Sequence, residues 1–98
     1  MTTQREAKLS RDIMKALRRL GHFCFKVHGS ETMMAGLPDI IVCAEGYFVG
    51  LETKLPETRH NTSPRQDFVH AAIQQSQGVA VVVCSVEEAL QVIAKVIG

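Results

Sequence analysis

Asp39, in the run Gly36-Leu37-Pro38-Asp39, and Glu52, in Glu52-Thr53-Lys54, stand thirteen positions apart, and the residues between them read as a tight β-hairpin. Ile40 to Cys43 is one short apolar run, Tyr47 to Leu51 is another, and Glu45-Gly46 supplies the permissive turn between them. With Glu45 and Gly46 as the two turn residues, Ala44 faces Tyr47, Ile41 faces Gly50 and Asp39 faces Glu52. Opposed Cβ atoms on antiparallel strands lie only about 5 Å apart, so two carboxylates placed there repel unless a cation sits between them. Side-chain alternation puts Lys54 on the face of Glu52. An Asp, a Glu and a Lys on one face form a hard-oxygen site with an ammonium beside it. Such ligation favours Mg²⁺ or Mn²⁺ over Zn²⁺, and the Thr53 carbonyl offers a further oxygen. Taken singly, these residues read more plainly as a strand-entry turn and a solvated ion pair. The register is what joins them.

With Gly-x-Pro-Asp-Ile, the hairpin, Glu-x-Lys and a following Gln at a helix start, the chain resembles the PD-(D/E)xK nuclease superfamily, and in particular its small stand-alone VRR-Nuc members. The similarity runs from Glu6 to about Leu90. The Val-Arg-Arg triplet of that family is absent, since the corresponding strand ends Val83-Cys84-Ser85. The resemblance implies a restriction-endonuclease-like α/β fold, αβββαβα, with a mixed central sheet flanked by helices. It also implies hydrolysis of a DNA backbone to a 5′-phosphate and a 3′-hydroxyl, a preference for branched DNA such as a Holliday junction, and action as a homodimer. A nucleic-acid-binding module that keeps this fold without turnover is the alternative, and the intact Asp39/Glu52/Lys54 set argues against it.

The elements that must hold these residues are legible along the chain. Leu9, Ile13, Leu17 and Leu20 form an apolar stripe on a helix from about Gln4 to Leu20, stopped by Gly21. Glu6 lies on the buried edge of that helix. It either closes a capping box with Thr3 or, as the resemblance implies, joins the metal site. Phe23 to His28 alternates as a half-buried strand, and residues 29–36 form a loop leading into the motif. A second helix begins at Ser63 and Pro64, with Gln66 completing a Ser-x-x-Gln capping box. The resemblance also turns Gln66 toward the site. Val79 to Cys84 is an uninterrupted apolar strand, expected to be central in the sheet. Ser85 caps a last helix that packs through Val86, Leu90, Ile93 and Ile97.

Ninety-eight residues with 46% apolar content suit one domain spanning residues 1–98. The net charge of +1 conceals an asymmetry: residues 1–28 carry seven Lys/Arg against two carboxylates, and the remainder carries four against eight. Lys8, Arg11 and Lys15 lie off the apolar stripe, where they either track phosphates or form an ordinary solvated face. Arg59, Arg65 and Ser30 sit in or beside the polar loops as further candidates for DNA contact, a turn role being the plainer reading of Ser30. Cys24, Cys43 and Cys84 lack metal-ligand spacing and are expected to be buried and reduced. With no membrane-length apolar run and no signal-peptide pattern, the expected location is the cytoplasm.

Overall fold

The computed structural model describes residues 3–98. Its elements run α1 (Gln4–Arg19), β1 (Phe23–Lys26), β2 (Ile40–Ala44), β3 (Tyr47–Thr53), a short 3₁₀ turn (Pro56–Thr58), α2 (Pro64–Gln75), β4 (Val79–Val83) and α3 (Val86–Ile97). Strands β1, β2 and β3 form an antiparallel meander, and β4 adds to β3 in parallel after the α2 crossover. The result is the αβββαβα order with a mixed sheet.

The hairpin has the register deduced from its turn. Ala44 pairs with Tyr47, Ile41 with Gly50 and Ile40 with Leu51, so the next position outward sets Asp39 against Glu52. Glu45 and Gly46 both have positive φ, 51° and 89°. That backbone matches the twist of a two-residue hairpin, and glycine adopts it without a Cβ penalty.

Alternation then divides the sheet. Ile40, Val42, Ala44, Val49 and Leu51 face a core shared with Ile13, Met14 and Leu17 of α1 and Ala89 and Ile93 of α3. Gly50 and Glu52 face the opposite side, where α2 lies. Val86, Leu90 and Ile97 pack around Ile93 as the helical spacing requires. Pro38 is fully buried and fills the space above Gly50, where an added Cβ would stand 2.5 Å from the proline Cγ. Proline packing on glycine thus anchors the backbone one residue before Asp39.

Three expectations change: the place of β4 in the sheet, the burial of Leu20 and the burial of Cys43. The strand Val79–Val83 is an edge strand, not a central one. Its apolar character on both faces has a different cause: α2 covers one face while α3 covers the other. Leu20 is largely exposed as the C-cap of α1, and Met14 takes its place in the core, because the helix ends before the stripe can turn inward again. In β1 it is Cys24 that is buried, whereas Phe23 and Phe25 are exposed on the half of the sheet that α2 does not cover. Cys43 shares that open face, so only Cys24 and Cys84 are buried thiols; all three are free.

Gly50→Ala is expected to destabilise the protein by about 1–3 kcal/mol, the usual cost of overpacking a filled site. Denaturant unfolding measures this, and an unchanged midpoint would mean that the Pro38–Gly50 contact is slack.

Candidate active site

The two carboxylates converge where β2 begins and β3 ends. Asp39 is held through one oxygen: its Oδ2 accepts from the Thr53 backbone N–H at 2.8 Å and from the Thr53 hydroxyl at 2.8 Å. The backbone of Asp39 is tied as well, its carbonyl accepting from Val27 N–H at 2.7 Å. Glu52 is only 3% exposed. Its Oε2 accepts from Gln66 Nε2 at 3.2 Å, and its Oε1 is buried with no protein partner.

Burial, followed by the charge of Asp39 and hydrogen bonding with it, pushes the Glu52 carboxyl up to about 8; Lys54 and Lys26 act in the opposite direction. A buried carboxyl beside a second carboxylate cannot ionise freely. Both lysines are half-buried, and Lys54 follows Glu52 by two positions, just past the end of β3.

Gln66 makes two sets of contacts at once. Ser63 N–H donates to Gln66 Oε1 at 2.9 Å, and Gln66 N–H donates to Ser63 Oγ at 3.1 Å, which closes the capping box. With its carbonyl oxygen committed to the cap, the amide nitrogen of the same side chain is the group left to reach Glu52. The cap and the contact with Glu52 therefore coexist in one side chain. His70, one turn further along α2, is buried with Nε2 unpartnered, and burial holds its imidazole below the usual range.

Glu6 is not drawn into this group. Among the described residues no three His, Cys, Asp or Glu side chains gather in a way that could hold a metal ion. Helix α1 meets the site through Ser10, one turn later, whose Oγ lies 3.0 Å from Thr53 Oγ1. Glu6 and Ser10 share a helix face, but Glu6 stays a turn short and half-buried. Its backbone N–H is capped by Thr3 Oγ1 at 3.1 Å.

The other candidates divide. Arg11 and Lys15 are exposed along α1 with Arg18 and Arg19, whereas Lys8 pairs with Asp12 at 2.7 Å. Arg59 is bound to Glu88 at 2.7 Å, and the same Glu88 oxygen accepts from Cys84 N–H at 2.7 Å. Arg65 donates to the Ala35 carbonyl at 3.2 Å and lies over the Phe68 ring, which ties the 29–36 loop to α2. Ser30 is exposed and bonds with Thr32 within that loop. Two residues that the sequence reading did not single out, Ser10 and Lys26, contact the site: Lys26 Nζ donates to Ser10 Oγ at 3.2 Å. A serine on the inward face of an apolar helix stripe was the available signal.

The donor set suits a hard divalent cation. Two carboxylates, one with an orphaned buried oxygen, are enough for Mg²⁺ or Mn²⁺, which commonly complete their shell with water and substrate phosphate. The Thr53 carbonyl remains a candidate third oxygen.

No family model matches the sequence, and no curated protein sequence does. The fold, by contrast, has solved counterparts. It superposes on a VRR_NUC domain with a TM-score of 0.71 at 22% identity, covering 94% of this chain and 97% of that one. It also superposes on Hjc of Archaeoglobus fulgidus, a Holliday junction resolvase, with a TM-score of 0.59 at 15% identity, covering 81% of this chain and 67% of that one. The protein therefore has the restriction-endonuclease-like fold that its motifs resemble. No helix among the described residues is long and apolar enough to cross a membrane.

In metal-free protein, Glu52→Gln should stabilise the fold in a pH-dependent way. The Glu52 carboxyl rises from 4.5 to about 8 on folding, so wild-type stability declines as pH rises through that window, and the amide variant escapes the decline. Its advantage in EDTA should be small below pH 4.5, grow up to pH 8 and then level off, at on the order of a few kcal/mol. A difference that stays constant between pH 5 and 9 would contradict the buried, repelled carboxyl.

Proposed function

We propose that this protein is a Mg²⁺- or Mn²⁺-dependent endonuclease that hydrolyses DNA phosphodiester bonds, acting on branched DNA such as a four-way junction. The observation carrying this reading is the convergence of Asp39 and Glu52 with Lys54 beside them, Glu52 keeping one buried oxygen without a protein partner. The likeness to a VRR_NUC domain and to a Holliday junction resolvase supports the same class.

Asp39 and Glu52, with the Thr53 carbonyl, would hold the cation. When bound, it supplies Lewis-acid stabilisation of the phosphate and eases deprotonation of water. Lys54 orients the attacking water and offsets charge developing on the phosphoryl oxygens. Gln66 fixes the Glu52 carboxyl against rotation. Water adds to phosphorus as the bond to the 3′-oxygen breaks, and that oxygen leaves with a proton as the 3′-hydroxyl. The exposed cations of α1, among them Arg11 and Lys15, provide a path for the phosphate backbone, and Arg65 steadies the loop before Pro38.

A chain this small offers little surface for base readout, which favours recognition of DNA shape. Two copies acting as a homodimer would cut paired strands symmetrically. Tyr47, Phe48, Met34 and Phe68 are exposed around a groove of about 610 Å³ between α2 and the hairpin, an apolar face suited to packing a second copy. The cytoplasm, where DNA and Mg²⁺ are both available, is the proposed location.

Purified protein incubated with a four-way junction, a splayed arm and linear duplex should give products with Mg²⁺ or Mn²⁺ and none with EDTA. Asp39→Ala and Glu52→Ala should lose at least about a hundredfold in rate, and Lys54→Ala a similar amount while retaining DNA binding. Binding to all three DNAs without a metal-dependent product would instead identify a binding module. Solution mass measured on the same preparations reports the homodimer.

Gln66→Glu separates the two functions of that residue. Glutamate at the third position of a helix keeps the capping box, so the unfolding midpoint should stay near the wild type. Replacing the donor by a third carboxylate should lower cleavage by on the order of tenfold or more. Full activity in this variant would remove Gln66 from the site.

A further inference from the structure

Four side chains form a continuous hydrogen-bonded line through the sheet edge. Lys26 Nζ lies 3.2 Å from Ser10 Oγ, Ser10 Oγ lies 3.0 Å from Thr53 Oγ1, and Thr53 Oγ1 lies 2.8 Å from Asp39 Oδ2. Ser10 and Thr53 are each 1% exposed, so water cannot substitute for these contacts freely. Each comes from a different element: Lys26 from β1, Ser10 from α1, Thr53 from β3, and Asp39 from the start of β2.

Hydroxyl chemistry makes the line directional. An ammonium only donates, and an ionised carboxylate only accepts. The single Thr53 hydroxyl proton is used on Asp39, so the Ser10 hydroxyl must donate to Thr53, which leaves the Ser10 oxygen to accept from Lys26. Each hydroxyl thus donates one bond and accepts one, and neither can be reversed without orphaning a buried group. The Thr53 backbone N–H reinforces the same end, so both bonds that Asp39 accepts from Thr53 fall on Oδ2.

A plain structural role explains this arrangement poorly. Serine is a weaker helix former than alanine, and its buried hydroxyl requires a partner on a stripe otherwise filled by Ile13, Met14 and Leu17. An apolar pair at positions 10 and 53 would satisfy packing alone.

We propose that Lys26, Ser10 and Thr53 are a positioning relay that locks Oδ2 of Asp39 and so presents Oδ1 as its oxygen for the divalent cation. This rests on the metal-site reading above. Thr53 thereby has two functions: its carbonyl is a candidate ligand, and its hydroxyl and N–H aim the neighbouring one. The relay also carries a positive charge at its far end, which polarises each hydroxyl toward the carboxylate. Neither Ser10 nor Lys26 touches the cation or the DNA in this scheme.

Mn²⁺ binding without DNA, followed by calorimetry or by the loss of the free-ion electron paramagnetic resonance signal, tests the relay independently of catalysis. Wild type should bind and Asp39→Ala should not. Thr53→Val keeps volume and the backbone N–H but removes the hydroxyl, and should weaken Mn²⁺ by about tenfold, the usual scale for groups that orient a ligand. Thr53→Ser should restore the affinity to within about threefold of wild type. Ser10→Ala should weaken binding by about threefold, and the double variant should be no weaker than Thr53→Val, because Ser10 acts only through Thr53. Unfolding midpoints confirm that each variant is folded; should Thr53→Val not fold, Thr53→Ser and Ser10→Ala still decide. Equal Mn²⁺ affinity in wild type, Thr53→Val and Ser10→Ala, with Asp39→Ala deficient, overturns the relay and leaves the metal site standing. Absence of saturable Mn²⁺ binding in the wild type overturns the metal site and the relay with it.

Discussion

Two carboxylates brought face to face at the end of a hairpin repel, and the surrounding structure is arranged to tolerate that repulsion. The pairing of β2 with β3 leaves Asp39 opposite Glu52, and burial denies Glu52 the solvent that would screen it. The cost appears in a carboxyl pushed up to about 8 and in an oxygen with no protein partner. A buried acidic pair is destabilising by itself, and that cost is what the proposed cation would relieve.

The rest of the molecule reduces the freedom of that pair. Pro38 packed on Gly50 sets the backbone just before Asp39, and the carbonyl of Asp39 bonds to β1 through Val27. Thr53 holds one oxygen of Asp39 twice, while Gln66 holds one oxygen of Glu52 from the first turn of α2. Gln66 can do this because its own carbonyl is spent on the helix cap, so helix initiation and carboxylate orientation share one amide. Sheet, α1 and α2 each contribute to the site, although the core joins only the first two with α3.

Charge is distributed to match. The exposed cations of α1 lie on the same helix that sends Ser10 to the site, so one element carries both the face proposed to track phosphates and a support for Asp39. Arg59 and Arg65, by contrast, are occupied with Glu88 and the Ala35 carbonyl. Their work in the free protein is to hold loops in place. The apolar face beside β1 and the hairpin stays open because α2 spans only the β4 side of the sheet.

Local rules carried much of this architecture. The register follows from a two-residue turn and strict alternation, so the sequence alone sets Asp39 against Glu52. Ser63-Pro64 and the glutamine two positions on announce their helix start by capping chemistry. What local pattern could not decide is which group covers a given face. Val79 to Cys84 reads as a central strand because it is apolar on both sides, yet helices, not strands, bury it at the sheet edge. The three cysteines all read as buried, but only packing shows that Cys24 turns inward while Cys43 lies exposed beside Phe23 and Phe25. Glu6 and Ser10 occupy one helix face, and the way α1 crosses the sheet chooses between them. Such choices depend on distances between elements far apart in the chain, and periodicity within a single element holds no information about them.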